Sequence, residues 1–382
     1  MNPVSATELL RQAVAIPSVN PALAGDDAIR GEARMVEWLE PWFAARGFRT
    51  QRVGKTPGRP NLLARFGAAA PAKTILFESH LDTVGVSGFQ GDPFALREEG
   101  GRLYGRGACD TKGPLAAFLA ALDGEVLAAL SESATQIAWL GAIGEETGNL
   151  GAEEAVAEGL RADECIVLEP TDLHIVHAHK GACWFTVATR GRAAHASDPA
   201  RGDNAILKMP AIWRLLEEEK EAAAKDFSDS LLGRPTVSVG TIHGGTGTNI
   251  VPDRCEIQVD RRLMPGETAA NVLAGLRKHL AAVPGGVEMS LLKEGLPFRT
   301  GADADIVRRF SAAIEAAGET PVREGAAWCS DAGPLAPVCG GTLVWGPGAI
   351  AQAHTADEYI ERASLEAGRE ILRRYLLAAA RA

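Results

Sequence analysis

The pattern of apolar and polar positions divides the chain near residue 180. Before that point, short runs of strand length alternate with segments whose apolar residues recur at helical spacing. Runs that are apolar on both faces are typical of central strands in a helix-covered sheet. The predicted strands are 61–66, 74–79, 136–143 and 164–168, and the predicted helices start near Ser5 or Thr7 and cover 32–46, 113–129 and 152–159. This alternation predicts an α/β fold, a doubly wound mixed sheet whose ligands bind at the carboxyl ends of the strands.

From about Gly181 the predicted elements follow the order βαββαβ, which gives a small antiparallel sheet with two helices on one face. The strands are predicted at 182–189, 236–242, 254–262 and 287–292, and the helices at 204–224 and 268–281. The chain then returns to the larger sheet with a helix at 303–316, a strand at 341–345 and a helix at 364–381. We therefore predict one domain of residues 1–180 and 295–382, with residues 181–294 inserted as a ferredoxin-like domain.

Composition excludes several classes of protein. With 46% hydrophobic and 23% charged residues, the chain resembles soluble globular proteins, and it has no apolar run long enough for a membrane span. A net charge of −10 argues against a nucleic-acid partner. The first residues lack a basic start and an apolar secretion segment, so we expect a cytoplasmic protein. The six cysteines are scattered without a C-x-x-C pair, which predicts reduced thiols.

Candidate chemistry lies where the predicted strands end. Glu145 and Glu146 stand side by side after one strand, His80 ends another, and Glu169 follows a third. A divalent cation explains such adjacent carboxylates, because one can bind the metal while the other takes a proton from water. The alternative for the glutamate pair is a solvated first turn of a helix, where the helix dipole favours negative charge.

Three further residues have the right chemistry in short patterns. His80 and Asp82 are two apart at a strand end, an arrangement in which a carboxylate can orient a metal-binding imidazole. Asp110 leads into a predicted helix, and a helix N-cap is its alternative role. His354 lies in a glycine-rich loop after the last strand, where an ordinary surface histidine is the alternative.

Together these segments resemble the M20 family of metallopeptidases and deacylases, in particular its acetylornithine deacetylase and succinyl-diaminopimelate desuccinylase group. The matching motifs are Ser79-His80-Leu81-Asp82-Thr83-Val84, the segment around Asp110, Gly144-Glu145-Glu146, Leu168-Glu169-Pro170-Thr171 and His354. The resemblance implies two Zn²⁺ ions, for which Co²⁺ could substitute. It places His80 and Glu169 on one ion, Glu146 and His354 on the other, and Asp110 between them. It also implies Glu145 as the general base, Asp82 as the partner of His80, and a cis peptide bond between Asp110 and Thr111.

The same resemblance assigns roles within the inserted domain, which matches the family's lid and dimerisation domain. It implies that His195 reaches into the site of a partner subunit and stabilises the oxyanion. Asn249 and Arg262 match residues that hold the substrate. A homodimer formed through residues 181–294 is therefore expected.

The resulting expectation is a zinc-dependent amidohydrolase that removes an acyl group from an N-acyl amino acid or short peptide. The segment Gly346 to Glu358 favours removal of an acetyl group from a substrate such as N-acetylornithine or N-acetylcitrulline, a reaction of amino-acid biosynthesis. A succinyl-diaminopimelate desuccinylase, an aminoacylase and a glutamate-type carboxypeptidase are alternatives within the family. A different class is a metal-free, non-catalytic binding protein whose carboxylates are held by Arg or Lys.

Overall fold

The computed structural model describes residues 4–226, 229–281, 283 and 286–381. The chain forms two compact units. The first consists of Met1–His177, Arg299–Glu324 and Ser330–Ala382, and the second of Ala178–Phe298 and Gly325–Cys329. The predicted insertion, 181–294, lies inside the second unit. That unit also takes in residues 325–329, which the sequence pattern had left in the larger domain.

The helices and strands follow one another in an order close to the predicted one. From the N-terminus they are α1 (Ala6–Val14), α2 (Ala33–Ala44), β1 (Arg49–Val53), β2 (Asn61–Gly67), β3 (Lys73–His80), β4 (Arg97–Glu99), β5 (Arg102–Tyr104), α3 (Lys112–Ala121), α4 (Gly124–Ser131), β6 (Thr135–Ala142), α5 (Glu145–Gly148), α6 (Leu150–Ala157), β7 (Glu164–Val167) and β8 (Ile175–His179). The second unit contains β9 (Gly181–Arg190), α7 (Met209–Asp226), β10 (Val237–Gly244), β11 (Arg254–Leu263), α8 (Ala269–Leu280) and β12 (Val287–Gly295). The remaining elements are β13 (Phe298–Arg299), α9 (Asp305–Ala316), β14 (Arg323–Ala326), α10 (Ala332–Leu335), β15 (Thr342–Val344), β16 (Tyr359–Glu361) and α11 (Arg362–Ala380).

The larger sheet is mixed, as the sequence predicts. Its nine described strands lie in the order β1, β2, β6, β3, β7, β15, β8, β13, and β14 also pairs with β8. The central strands β6, β3, β7 and β15 are parallel, whereas β1, β2 and β8 join antiparallel. Every residue of β6 and β7 is buried, which explains why these strands have no polar face in the sequence. Parallel strands with buried faces place their carboxyl ends together at one edge, where α/β proteins bind ligands.

Aromatic side chains hold helices against this sheet. Trp139 of β6 is fully buried beside Phe43 of α2, with ring centroids 4.8 Å apart. On β3, Phe77 lies 4.6 Å from Phe118 of α3. Each such ring buries a large apolar area, and truncating one to alanine typically costs about 3–5 kcal/mol. These contacts fix the strand ends that carry the polar residues described below.

One predicted helix is wrong. The sequence pattern gave a continuous helix at 113–129, but the structure has two helices, α3 and α4, bent by 67°. Asp123 causes the break, because its side chain accepts a hydrogen bond from the backbone N–H of Val126 and caps α4. The short antiparallel sheet of β16, β5 and β4 was also missed, since strands of three residues leave too little alternation to detect.

The second unit has the predicted βαββαβ order. Its sheet is antiparallel, with strand order β10, β11, β9, β12. Phe185 and Val187 of β9 point to one face and pack in a core with Ile212 of α7 and Leu276 of α8. Trp184, directly before Phe185 in sequence, is 39% exposed on the other face. This alternation is that of a sheet covered by helices on one side.

Among the described residues, no single helix is long and apolar enough to cross a membrane. Taken as a pair, the bent helices α3 and α4 are long and apolar enough to meet this criterion. All of α3 is buried within the core of the first unit.

Candidate metal centre

The candidate site lies in the first unit, at the carboxyl ends of its parallel strands. His80 is the last residue of β3. On either side, β6 and β7 run parallel to β3, and they are followed by the pair Glu145 and Glu146 and by Glu169. Gly144 makes the turn after β6 with a φ of +71°, a left-handed conformation that suits glycine. The sheet thus gathers four of the predicted site residues at one edge.

Two further ligand candidates come from loops. Asp110 lies just before α3, and its peptide bond to Thr111 is cis, which confirms that expectation. The Thr111 hydroxyl donates a hydrogen bond to the carbonyl of Leu168, next to Glu169, and so ties this loop to the end of β7. His354 is exposed in the loop after β15 and has a φ of +63°.

These side chains converge into two groups that share one carboxylate. His80 Nε2 lies 2.9 Å from Asp110 Oδ1 and 3.9 Å from Glu169 Oε2. His354 Nε2 lies 3.2 Å from the other oxygen of Asp110 and 3.0 Å from Glu146 Oε2. Within each group the candidate ligand atoms all lie within 4.8 Å of one another. The geometry therefore offers two adjacent cation sites bridged by Asp110.

The donors fit a pair of divalent cations. Each group supplies one imidazole nitrogen and two carboxylates, the ligand types that zinc and similar metals take in proteins. Asp110 and Glu169 are only 8% and 6% exposed, and burying uncompensated carboxylates is costly. The second oxygen of Glu146, Oε1, is buried without a hydrogen-bond partner among the described residues. A cation at each group would satisfy these oxygens.

The imidazoles and carboxylates of the site polarise each other. Burial alone would raise the pKa of Asp110, but hydrogen bonds with His354 and His80 outweigh it and hold that pKa well below its usual range. Hydrogen bonds to Asp110 and Glu146 raise the pKa of His354 to about 10. Burial would lower the pKa of His80, yet the carboxylates of Glu169 and Asp110 raise it well above its usual value. Metal binding would oppose these two shifts, because an imidazole must be unprotonated at the nitrogen that binds a cation.

Asp82 contacts His80 through its main chain and also supports the two glutamates. His80 Nδ1 hydrogen-bonds the main-chain carbonyl of Asp82 at 2.9 Å, while the Asp82 carboxylate is 3.8 Å away. That carboxylate accepts the backbone N–H groups of Glu145 and Glu146, at 3.1 and 3.2 Å, and the side-chain amide of Asn20 at 2.7 Å. Asp82 thus caps the start of α5, and its backbone orients the imidazole.

Glu145 lies beside Glu146 but belongs to neither ligand group. It is half-buried, and desolvation raises its pKa well above the ordinary value, with further contributions from the negative charges of Asp331 and Glu146. A carboxylate with a raised pKa accepts and returns a proton near neutral pH more readily than an exposed one. Its Oε1 lies 3.4 Å from the side-chain amide of Asn149.

Several residues that support the candidate ligands were not predicted from the sequence. Glu358 is buried and accepts hydrogen bonds from three backbone N–H groups of the loop 107–110 and from the Arg106 guanidinium. Its position four residues after His354 was visible in the sequence, but nothing there indicated a bond to the Asp110 loop. Asn20, which holds Asp82, carried no signal either.

A second missed feature is a buried carboxyl pair beside the site. Glu78 of β3 and Asp331, just before α10, are at most 1% exposed. Burial raises the pKa of Asp331 to about 6, and burial followed by the charge of Asp331 raises the pKa of Glu78 well above normal. Asp331 also accepts a hydrogen bond from Asn149 at 2.9 Å. Glu78 was detectable as the acidic residue inside an otherwise apolar strand.

The remaining three predicted site residues lie in the second unit. His195 is exposed, and its Nδ1 lies 2.7 Å from the Ser197 hydroxyl. His195 forms a β-bridge with Ile250, next to the exposed Asn249. Arg262, near the end of β11, is 26% exposed and pairs with Asp260 at 3.0 Å. His195 and Asn249 are therefore neighbours within this unit.

Comparison with known proteins identifies relatives across nearly the whole chain. The chain is 33% identical over 378 residues to an acetylornithine deacetylase of Klebsiella pneumoniae (strain 342), a match that covers 96% of this chain and 95% of that protein. Among solved structures, an M20 family metallo-carboxypeptidase of Sulfolobus solfataricus, Sso-CP2, superposes with a TM-score of 0.82. It shares 22% sequence identity, with 99% of this chain and 100% of that chain covered.

A second solved structure, the YXEP protein of Bacillus subtilis, is described as a dinuclear metal-binding peptidase of the M20 family. It matches with a TM-score of 0.70 and 12% identity over 98% of both chains. The family model for peptidases M20/M25/M40 matches residues 76–378, a range that includes all the ligand candidates above. The chain therefore belongs to the M20 peptidase family of metal-dependent hydrolases.

Proposed function

We propose that the protein is a zinc-dependent amidohydrolase that removes the acetyl group from an N-acetyl amino acid such as N-acetylornithine or N-acetylcitrulline. The observation that supports this chemistry most directly is the pair of ligand groups joined by Asp110, with the unligated Glu145 beside Glu146. In a metal-free binding protein, Arg or Lys side chains would be expected to hold these carboxylates. Their partners among the described residues are instead the two histidines.

Five side chains would hold the two ions. His80 and Glu169 would bind one, Glu146 and His354 the other, and Asp110 both. When bound, such a pair of cations polarises an amide carbonyl and makes water a nucleophile near neutral pH.

Glu145 would move the protons of the reaction. Its carboxylate accepts a proton from the attacking water and then passes it to the leaving amine, so that it ends the cycle as it began. Asp82 fixes the backbone of Glu145 through the hydrogen bond at 3.1 Å. Because Asp82 also receives the N–H of Glu146, the base and its neighbouring ligand keep a fixed spacing.

The proposed substrate rests on the deacetylase relative, whose match covers 96% of this chain. An α-N-acetyl amino acid carries a carboxylate, for which Arg262 and Asn249 are the proposed holders, and its amide needs a donor for the oxyanion, for which we propose His195. Arg262 suits this role because a guanidinium binds a carboxylate through two parallel hydrogen bonds. Its present partner, Asp260, makes a single partly exposed contact at 3.0 Å that a substrate could displace.

We further propose a cytoplasmic homodimer formed through the second unit. This unit exposes large apolar side chains, of which Leu207 is 76% and Ile242 52% exposed. Strand β10 lies at an edge of its sheet, with one side unpaired among the described strands. Exposed apolar residues and free strand edges are features of association surfaces. Size measurement of the wild type and of Leu207→Glu would test this, the variant being expected to shift toward a monomer.

The decisive test is a panel of amides assayed for release of free amine. N-acetylornithine, N-acetylcitrulline, N-succinyl-diaminopimelate, N-acetylmethionine and a glutamate-terminated dipeptide represent the competing activities. We expect the first two to be hydrolysed fastest, and all turnover to stop with a chelator and return with Zn²⁺ or Co²⁺. Hydrolysis confined to the succinyl substrate or the dipeptide would overturn the acetyl assignment. Full activity in chelator would overturn the metal mechanism.

A further inference from the structure

Asn149 joins the proposed base to the buried carboxyl pair. Its side-chain nitrogen lies 2.9 Å from Asp331 Oδ1 and 3.4 Å from Glu145 Oε1. An asparagine amide carries two N–H groups, so one nitrogen can serve two carboxylates at once. The longer of the two contacts is typical of catalytic hydrogen bonds before substrate is bound.

The backbone at this position favours such a bridge. Asn149 has a φ of +60° and ψ of +25°, between the end of α5 and the start of α6. Few residues other than glycine adopt this left-handed conformation, and asparagine is one of them. The side chain makes no capping bond to α6 and is only 2% exposed, and its nitrogen contacts both carboxylates.

Asp331 gives the bridge a rigid anchor. Asp331 is completely buried. Asn149 lies between α5 and α6, and Asp331 lies 182 residues later in the chain. Glu145, by contrast, is half-buried and has a flexible side chain, so without a partner its carboxylate could rotate among several rotamers. Holding Oε1 through a neutral donor leaves Oε2 free to receive a proton.

We propose that Asn149 and Asp331 are positioning residues that orient the carboxylate of Glu145 for proton transfer. Asp331 orients the amide, and the amide orients the base. This inference rests on the proposed function, in which Glu145 is the general base. In the described part of the chain, neither side chain hydrogen-bonds to a candidate ligand atom, so their loss should affect turnover without emptying the metal sites.

Asn149→Gly is the first test, because glycine keeps the left-handed backbone at no steric cost and removes only the amide. We expect kcat on N-acetylornithine to fall on the order of 10- to 100-fold, with KM within about twofold and zinc content unchanged. Asn271→Ala, an exposed asparagine of α8, is the matched control and should keep wild-type kcat. Wild-type kcat in Asn149→Gly would overturn the proposal.

The double variant Asn149→Asp with Asp331→Asn distinguishes a pair that orients Glu145 from a pair that only stabilises the fold. The pair can still hydrogen-bond with donor and acceptor reversed, but Glu145 then faces a carboxylate in place of an amide N–H. We expect the melting temperature to return toward wild type while kcat stays low. Recovery of both the melting temperature and kcat would show that the pair is only structural and would overturn the proposal. This test remains decisive even if Asn149→Gly folds poorly.

Crystal structures of wild type and Asn149→Gly give a readout that does not depend on the substrate. A Glu145 carboxylate that leaves its wild-type rotamer in the variant supports the proposal, and an unchanged rotamer overturns it. If the wild type hydrolysed none of the amides tested, the proposed function would fall. The crystallographic comparison would still decide whether Asn149 orients Glu145.

Discussion

Glu358 holds Asp110 although the two residues are 248 positions apart: its Oε1 accepts the backbone N–H of Asp110 at 3.0 Å. The same oxygen accepts the N–H of Cys109 at 2.9 Å, and Oε2 accepts from the Arg106 guanidinium at 2.7 Å. Because Glu358 follows His354 by four residues, one late segment supplies a candidate ligand and also fixes the loop that carries Asp110. Glu358 thus supports the residue whose carboxylate is common to both candidate cation sites.

Glu358→Gln should therefore weaken both folding and metal binding. The variant leaves the Arg106 guanidinium buried without its anion, and breaking a buried ion pair from one side costs about 3–5 kcal/mol. We expect a lower urea midpoint and fewer than about two zinc ions per chain by elemental analysis. Glu361→Gln is the control, since its pair with Arg102 is about half exposed and should matter little. Equal midpoints for the two variants would contradict this account.

Exchange of the neighbouring glutamates should separate base from ligand. In Glu145→Gln the amide keeps the shape of the side chain but cannot accept the proton, so kcat should fall about 10²- to 10⁴-fold with zinc content intact. In Glu146→Gln an anionic ligand is lost, and zinc content should fall toward about one ion per chain. Paired kinetics and elemental analysis of both variants provide the check. Metal loss in Glu145→Gln would mean that the two roles are reversed.

The meeting of four candidate site residues at one edge of the sheet was predictable, because each of them lies at or just after the end of a predicted strand. His80, Glu145, Glu146 and Glu169 follow apolar runs, and parallel strands bring such ends together without any long-range information. The order of elements in the second unit was likewise predictable, because apolar and polar residues alternate along β9 and its neighbours. Patterns of this kind depend only on which face of an element is buried.

The supporting residues could not be predicted, because their partners are distant in sequence. Asn20 meets Asp82 across 62 positions, and Asn149 meets Asp331 across 182. No periodicity links such pairs, and their side chains are also common at surfaces. The break between α3 and α4 was missed for a different reason. Apolar spacing continues through the region, and the capping bond of Asp123 overrides it.

Substitution of the shared ligand should affect metal binding more than substitution of a terminal one. Asp110 contacts both histidines, whereas His354 belongs to one group only. Asp110→Asn should therefore lower the affinity for both ions, while His354→Ala should spare the site formed with His80. Isothermal titration of the chelator-treated protein with Zn²⁺ would count the remaining sites. His174→Ala, which removes a partly exposed partner of Glu324, is expected to bind as the wild type does.

A buried histidine outside the metal centre should make the stability of the second unit depend on pH. His179 is fully buried, its ring lies 4.5 Å from that of Phe298, and its Nδ1 donates to the Lys180 carbonyl at 2.9 Å. Burial lowers the pKa of His179 to about 4, and the backbone hydrogen bond opposes this only in part. Unfolded histidine has a pKa of about 6.5, so between these values the unfolded chain binds the extra proton. Stability contributed by the neutral ring is therefore complete above about pH 6.5 and is lost as the pH falls toward 4.

The full loss corresponds to about 3 kcal/mol, since each pKa unit is worth about 1.4 kcal/mol. His179→Asn is the matched variant, because its amide can donate to the same carbonyl but does not titrate. Urea unfolding of both proteins at a series of pH values removes the contributions of other groups by difference. The gap in unfolding free energy between wild type and variant should narrow or reverse as the pH falls from 6.5 to 4, because only the wild type must keep a buried imidazole unprotonated. A gap that stays constant over this range would show that His179 is not the group responsible.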